Sequence, residues 1–395
     1  MILYIGIAAA TVLAAVIVNK EKGLPGGTRG AVLRRSCFFL IALILIVPAV
    51  LRQETGNDYL RYVEFFHLAS IDAYVPTEAG FNLLVRAIYA LCGYENYLLV
   101  FAVFAVLTIV LMLEVLRRQA ENYAFSFFLF MMFGYYFQSF NTMRYYLALS
   151  LALTAMTCLL KRRYPEFVLL ILAAALFHKS ALAALLLYPA SIMRWKKIHR
   201  ASAAGIGVGV LLLHDKVLQL LVALYPSWEG TEDLAAGTSV SWVNILRCAG
   251  VFFLFFFVMR MQDGADGMGK AVCGENSQRI LAERKEDLQE RQLRMYLNGS
   301  FLGLLMYVFG WFVPEISRIC YYLTFTQVFL IPMLLQRIPD GKKRERKWLT
   351  ALVIAAAVLY FALFLKTAYR DTIKILPYKS FLFHELNQTP SGSVN

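Results

Sequence analysis

Long apolar runs alternate with short charged stretches along almost the whole chain. A helix needs about 20 apolar residues to cross a bilayer, with about 17 as the lower limit and less where the flanks contribute. On that measure the pattern predicts twelve spans, at 2–18, 36–51, 96–116, 123–140, 144–160, 164–177, 180–193, 201–213, 242–259, 295–312, 319–335 and 348–365. The expected fold class is all-α: a polytopic membrane protein of about twelve transmembrane helices in one integral domain, 1–395. Pro189 is placed to kink the seventh span near its end. Gly205 and Gly209 have the small-x-x-x-small spacing that lets helices approach closely.

Charge placement orients the spans. Basic clusters fall in alternate loops: Lys20 to Arg35, Arg117-Arg118, Lys161-Arg162-Arg163, Arg194 to Lys197, the insert 260–294 and the loop 337–347. Cytoplasmic loops carry such an excess of Lys and Arg, so both chain ends are expected outside. The outer parts are then the segment 52–95, the turns near 141 and 178, the loop 214–241 with Tyr225, Trp228 and Trp242 as interface aromatics, the turn holding Glu315 and Arg318, and the tail 366–395. Within 52–95, residues 78–92 are apolar but carry Arg86 midway, and a span there would turn Arg117-Arg118 outward. An amphipathic or re-entrant helix at the outer interface fits better. The cytoplasmic insert reads as a glycine-rich loop followed by a solvated helix with acids and bases three or four residues apart.

Composition agrees with a membrane chain. Of its 395 residues 59% are hydrophobic and 16% charged, with mean hydropathy +0.59, against about 25% charged in soluble domains. The net charge of +13 lies in loop clusters, which argues against a nucleic-acid partner. Six cysteines, without a C-x-x-C pair, sit mostly in apolar runs and read as small core residues. Residues 2–18 lack preceding basic residues and read as a retained span rather than a signal peptide. No P-loop, nucleophile elbow, zinc-protease motif or metal cluster is legible, and Asp263-x-x-Asp266 lies in a glycine-rich loop. Neither a nucleotide nor a metal is expected.

Chemistry concentrates around 135–182. There Arg144 heads one apolar helix, and His178 and Lys179 end the next, on the face opposite the basic knot 161–163. Ionisable residues at membrane ends either snorkel to the headgroups or mark a site. Their convergence on one side favours a site. Arg318, like Arg144, falls in a short outer turn followed by paired tyrosines, Tyr321-Tyr322 matching Tyr145-Tyr146. Two arginines with aromatic neighbours suit a pyrophosphate joined to a sugar, because the planar guanidinium binds phosphate oxygens in pairs.

Five short motifs occur in order: R-Q-E-T-G-N-D-Y-L-R-Y at 52–62, M-R-Y-Y-L-A at 143–148, F-H-K-S-A-L at 177–182, S-R-I-C-Y-Y at 317–322 and L-P-Y-K-S-F at 376–381. In these the chain resembles the EpsG family of Wzy-like exopolysaccharide polymerases, although Tyr145 stands where that pattern often has Gln. The resemblance implies a glycosyltransferase related to the C-type fold. It would join undecaprenyl-pyrophosphate-linked oligosaccharide units at the outer face of the bacterial cytoplasmic membrane, for exopolysaccharide, capsule or O-antigen. Membrane lipid would surround it, and a flippase and a chain-length regulator are the protein partners of such a system. On this reading Arg52, Arg144 and Arg318 contact pyrophosphate, and Tyr62, Tyr145 and Tyr322 contact sugar. The base is Asp58 or His178, and there is no metal or cofactor. Asp58 after Gly56-Asn57 also fits a turn cap, and His178 a helix-end residue bonded to backbone. A flippase would place charge along the span interiors, which are nearly free of it. An acyltransferase would need a histidine within reach of cytoplasmic donors. A glycan ligase would use the same donor chemistry.

Overall fold

The computed structural model describes residues 1–22, 28–194, 196–224, 240–263, 276–314, 316–368 and 373–383. Expectations for Tyr225, Trp228, the loop holding Asp266, Glu315 and residues 384–395 lie outside these. Among the described residues the chain is mostly helical, with no strand beyond one isolated bridge. The all-α polytopic reading holds.

Seven of the expected spans are helices long and apolar enough to cross a membrane: Ile2–Asn19, Gly30–Leu51, Tyr97–Gln119, Met143–Leu160, Trp242–Gln262, Ile316–Gln336 and Asp340–Thr367. An eighth is the pair Ala201–Leu212 and His214–Ala223, bent by 81°. Among the described residues, length and composition alone qualify these seven, or eight with the bent pair; of the other four expected spans, three contain shorter apolar helices and the fourth, 295–312, falls at the end of a longer helix. Two of the shortenings have a local cause. The run 123–140 breaks at Gly134, which takes a left-handed conformation. The run 180–193 starts as a 3-10 helix, Lys179–Leu186, before a short α-helix. The run 295–312 is the end of one long helix that begins in the charged insert.

The chain forms two compact units. The first comprises Met1–Thr154, Leu172–Lys179 and Ala351–Asn395. It contains α1 (Ile2–Lys22), α2 (Thr28–Leu51), α3 (Tyr59–Ser70), α4 (Ala79–Cys92), α5 (Tyr97–Gln119), α6 (Tyr123–Met132), α7 (Tyr135–Gln138) and the start of α8 (Met143–Leu160). Asn96 and Asn122 begin α5 and α6 by accepting the Leu99 and Phe125 backbone N–H groups, as N-caps do. α4 is amphipathic, as expected: Phe81, Val85, Ile88 and Tyr89 are buried, while Leu83 and Leu91 are open. Its inner face joins Tyr62, Phe66, Phe101, Phe104, Met143 and Leu147 in one aromatic-rich core.

The second unit comprises Ala155–Ile171 and Ser180–Thr350. After α9 (Tyr164–Ala175), which straddles the division, come α10 (Leu187–Ile192), α11 (Lys197–Leu212), α12 (His214–Leu224), α13 (Trp242–Asp263), α14 (Asn276–Phe309), α15 (Ile316–Thr324), α16 (Gln327–Gln336) and the start of α17 (Lys343–Thr367), whose part from Ala351 on belongs to the first unit. The close helix contact does not use Gly205 and Gly209, which face open space. It uses Gly299 and Gly303 of α14, where a Cβ would press on the Leu323 carbonyl oxygen and collide with Thr324. The Asn298 side chain donates to the Ala190 and Met193 carbonyls, tying α14 to the end of α10.

Candidate functional site

Arg52 follows the last residue of α2, in a loop that the late segment 373–380 clasps. The Gln53 N–H donates to the Lys379 carbonyl, and Gly56 and Asn57 donate to Lys374 and Ile373. Arg52 and Ser380 form an antiparallel bridge. Lys379 Nζ lies 2.7 Å from Glu54 Oε2. The Tyr378 hydroxyl donates to the Pro48 carbonyl, one of the acceptors that the end of α2 leaves without a helical partner.

Beneath this clasp Arg52 is 2% exposed. Its guanidinium lies 5.3 Å from the ring centres of both Phe101 and Phe140. Among the described residues it pairs with no carboxylate, and its Nε is buried without a hydrogen-bond partner. Burial pushes the guanidinium down to about 10, against the pull of Tyr59 and Tyr62, so it stays charged at neutral pH. A small cavity lined by Arg52, Thr108, Ser139 and Met143 opens beside it. Asp58, half-buried, is the residue before α3. Its side chain makes no cap hydrogen bond to that helix. Its N–H donates to Asn141 Oδ1 at 3.4 Å.

Arg144, in the first turn of α8, is not a bare cation. Its Nη1 lies 2.5 Å from Glu78 Oε2, and the two side chains are 19% and 14% exposed. Its guanidinium sits over Tyr62 and Phe81, at 5.8 Å and 5.3 Å. The other Glu78 oxygen accepts the Lys179 backbone N–H at 3.3 Å. Next to Lys179, half-buried His178 meets the Tyr145 ring edge-on at 5.4 Å. Arg52, Asp58, Tyr62, Arg144, Tyr145 and His178 therefore all fall in the first unit, and Arg52 and Arg144 both act on Tyr62.

The three tyrosines expected to meet sugar are all buried. Tyr62, Tyr145 and Tyr322 are 4%, 1% and 1% exposed. Arg318 and Tyr322 belong to the second unit. Arg318 stands half-buried in the first turn of α15, a helix rather than the turn expected there. The Tyr322 hydroxyl is 3.2 Å from Ser180 Oγ. Among the described residues no group of three or more His, Cys, Asp or Glu side chains is placed to hold a metal ion.

The model of the EpsG family matches residues 35–380. The chain belongs to the EpsG family. No curated protein and no solved structure matches it. EpsG proteins form a family of exopolysaccharide, Wzy-like polymerases. The EpsG match begins inside α2 and ends on Ser380, the residue bridged to Arg52, so both sides of the clasp lie within the family region. Three of the five EpsG-like motifs meet in the first unit through Glu78 and Tyr62. The motif at 376–381 closes over the one at 52–62. Glu78 itself lies in none of the motifs. Its signal in the sequence was only its place before the apolar helix at 79–92, where a negative charge suits the helix dipole and says nothing of Arg144.

Proposed function

We propose that the chain is a polymerase of polyprenyl-pyrophosphate-linked oligosaccharide repeat units. It works at the outer face of a bacterial cytoplasmic membrane, with undecaprenyl pyrophosphate as the carrier and both chain ends outside. The EpsG match over residues 35–380 carries this reading. The charge pattern of the loops supports the orientation.

In the reaction an acceptor sugar hydroxyl attacks the anomeric carbon of the donor glycan. The bond from that carbon to the pyrophosphate oxygen breaks, and the pyrophosphate leaves with the electron pair. The acceptor proton passes to a base. Pyrophosphate is already a good leaving group, so the protein's tasks are to align two lipid-linked chains and stabilise departing charge. Arg144 is the phosphate contact, with Arg52 as a second cation deeper in the same unit and Arg318 as a third. His178 or Asp58 takes the proton. Tyr62 and Tyr145, in the unit of Arg144, are the sugar-contacting residues there, and Tyr322 is proposed for the same role on its motif alone. Nothing in this scheme calls for a nucleotide or a metal.

The test uses purified protein in liposomes with synthetic polyprenyl-pyrophosphate repeat units. A ladder of lengthening glycan without ATP or added metal is the expected product. Single transfer to another acceptor would point to a ligase, and movement across the bilayer without bond formation to a flippase. Loss of the ladder in chelator, restored by a divalent ion, would overturn metal independence.

A further inference from the structure

We propose that Glu78 is the positioning residue that sets the Arg144 guanidinium for phosphate and holds the His178-Lys179 turn in register with it. The inference rests on the reading of Arg144 as the phosphate contact. A free arginine side chain samples many rotamers, and a phosphate site requires one of them. Here one arm of the fork, Nη1, is fixed by Glu78 Oε2. The guanidinium plane is held over Phe81 and Tyr62. Nε is buried without a partner. Nη2 is the donor group left for a ligand.

Glu78 is itself held firmly. It precedes α4 with an extended backbone, and its carbonyl accepts the Phe81 and Asn82 N–H groups. Two residues on, the Gly80 N–H donates to the Leu176 carbonyl at 2.9 Å. A Cβ on Gly80 would stand 2.7 Å from Leu176 Cβ and 2.8 Å from that carbonyl oxygen. The start of α4 is thus seated on the chain just before His178. From this seat the carboxylate reaches Arg144 with one oxygen and the Lys179 N–H with the other. Both oxygens are engaged, so Glu78 serves as a holder and not as the group that receives the acceptor proton.

The charge gives the proposal a kinetic signature. A carboxylate beside a phosphate site repels the donor while it orients the arginine. Removing it should slow the transfer without weakening donor binding, a fall in kcat with KM unchanged or lower. Misplacing a reacting group by about 1 Å costs roughly a hundredfold in rate, and Glu78→Ala should approach that. Glu78→Gln keeps an acceptor oxygen for Arg144 and should lose roughly tenfold, since a hydrogen bond to a charged group is about twice as strong as a neutral one.

The experiment measures kcat and KM for a synthetic polyprenyl-pyrophosphate repeat unit with Glu78→Gln, Glu78→Ala, Arg144→Ala and the double alanine variant. Membrane level and thermal stability are recorded alongside. The double variant should be no slower than Arg144→Ala, because Glu78 acts through Arg144. Additive losses, or a raised KM with unchanged kcat in Glu78→Gln, would overturn the proposal. So would full turnover in Glu78→Ala beside an inactive Arg144→Ala. Full turnover in Arg144→Ala would instead remove the phosphate-contact reading. If Glu78→Ala fails to accumulate, the kinetic split in Glu78→Gln decides alone.

Discussion

Gly56 lies so close under Phe140 that a Cβ on it would stand 2.7 Å from the Phe140 carbonyl oxygen. Its φ of +100° adds a second constraint, because side-chain-bearing residues rarely adopt that conformation. Gly93, which ends α4, has φ +76° but open space around it. Gly93→Ala should therefore cost only the left-handed strain, about 1–2 kcal/mol. Gly56→Ala carries the strain together with a backbone collision, about 3 kcal/mol or more in all. Thermal unfolding of the detergent-purified variants checks the order, and polymer yield should be lost in Gly56→Ala alone.

Arg144→Lys keeps a positive charge and loses the fork. If the guanidinium aligns pyrophosphate, polymer formation should fall by about one to three powers of ten, corresponding to roughly 1.4–4 kcal/mol of transition-state stabilisation. Arg144→Ala should be at least as damaging, and both variants should still insert. The assay is polymer length and yield in a deletion strain complemented with each variant, with protein level measured beside it. Near-normal polymer from the lysine variant would reduce Arg144 to a headgroup contact.

Arg52 separates stability from activity in another way. A buried cation without a carboxylate partner is costly, and an apolar residue of similar length is often neutral or stabilising in its place. Arg52→Met should leave the unfolding temperature unchanged or higher and lower polymer yield at least tenfold, if the lost charge removes about 1.4 kcal/mol or more of transition-state stabilisation. A variant that is both less stable and fully active per folded molecule would show that Arg52 serves the packing of Phe101 and Phe140 alone.

The orientation is tested at two open carboxylates. Asp72 lies between α3 and α4 with its side chain 82% exposed, and Asp340 precedes α17 at 87%. In a background without the six native cysteines, Asp72→Cys should react with an impermeant thiol reagent in intact cells and Asp340→Cys should not. The opposite pattern would put the Arg144 face inside and end the outer-face assignment.

The legible part of the fold was the part that depends on local pattern. Apolar runs located the helices, Arg86 within 79–92 marked α4 as amphipathic, and the order of short motifs pointed to the residues now found around Tyr62. The break at Gly134 was less plain, because one glycine in an apolar run is common in membrane helices and the left-handed turn also depends on Phe364 packing against it. The Glu78–Arg144 pair spans 66 positions. Nothing in a single sequence couples two such residues, and an acidic residue at a helix start has a sufficient local explanation in the helix dipole. The burial of Tyr145 and Tyr322 was hidden for a related reason: tyrosine suits an interface, a sugar face or a core equally well.

The clasp has a consequence for how the protein is made. Translation delivers residues 52–58 early and their cover, 373–380, only after α17 has been synthesised. The Tyr4 hydroxyl, from the first helix, also waits for its acceptor, the Ile375 carbonyl 2.6 Å away. The earliest and latest elements are thus fastened to each other over Arg52. A nascent chain holds this cation without its cover until segment 373–380 has been made, so ribosome stalling or premature termination before Ile373 leaves the loop open. The cover over Arg52 is thus a contact that only a chain synthesised past Ser380 can make.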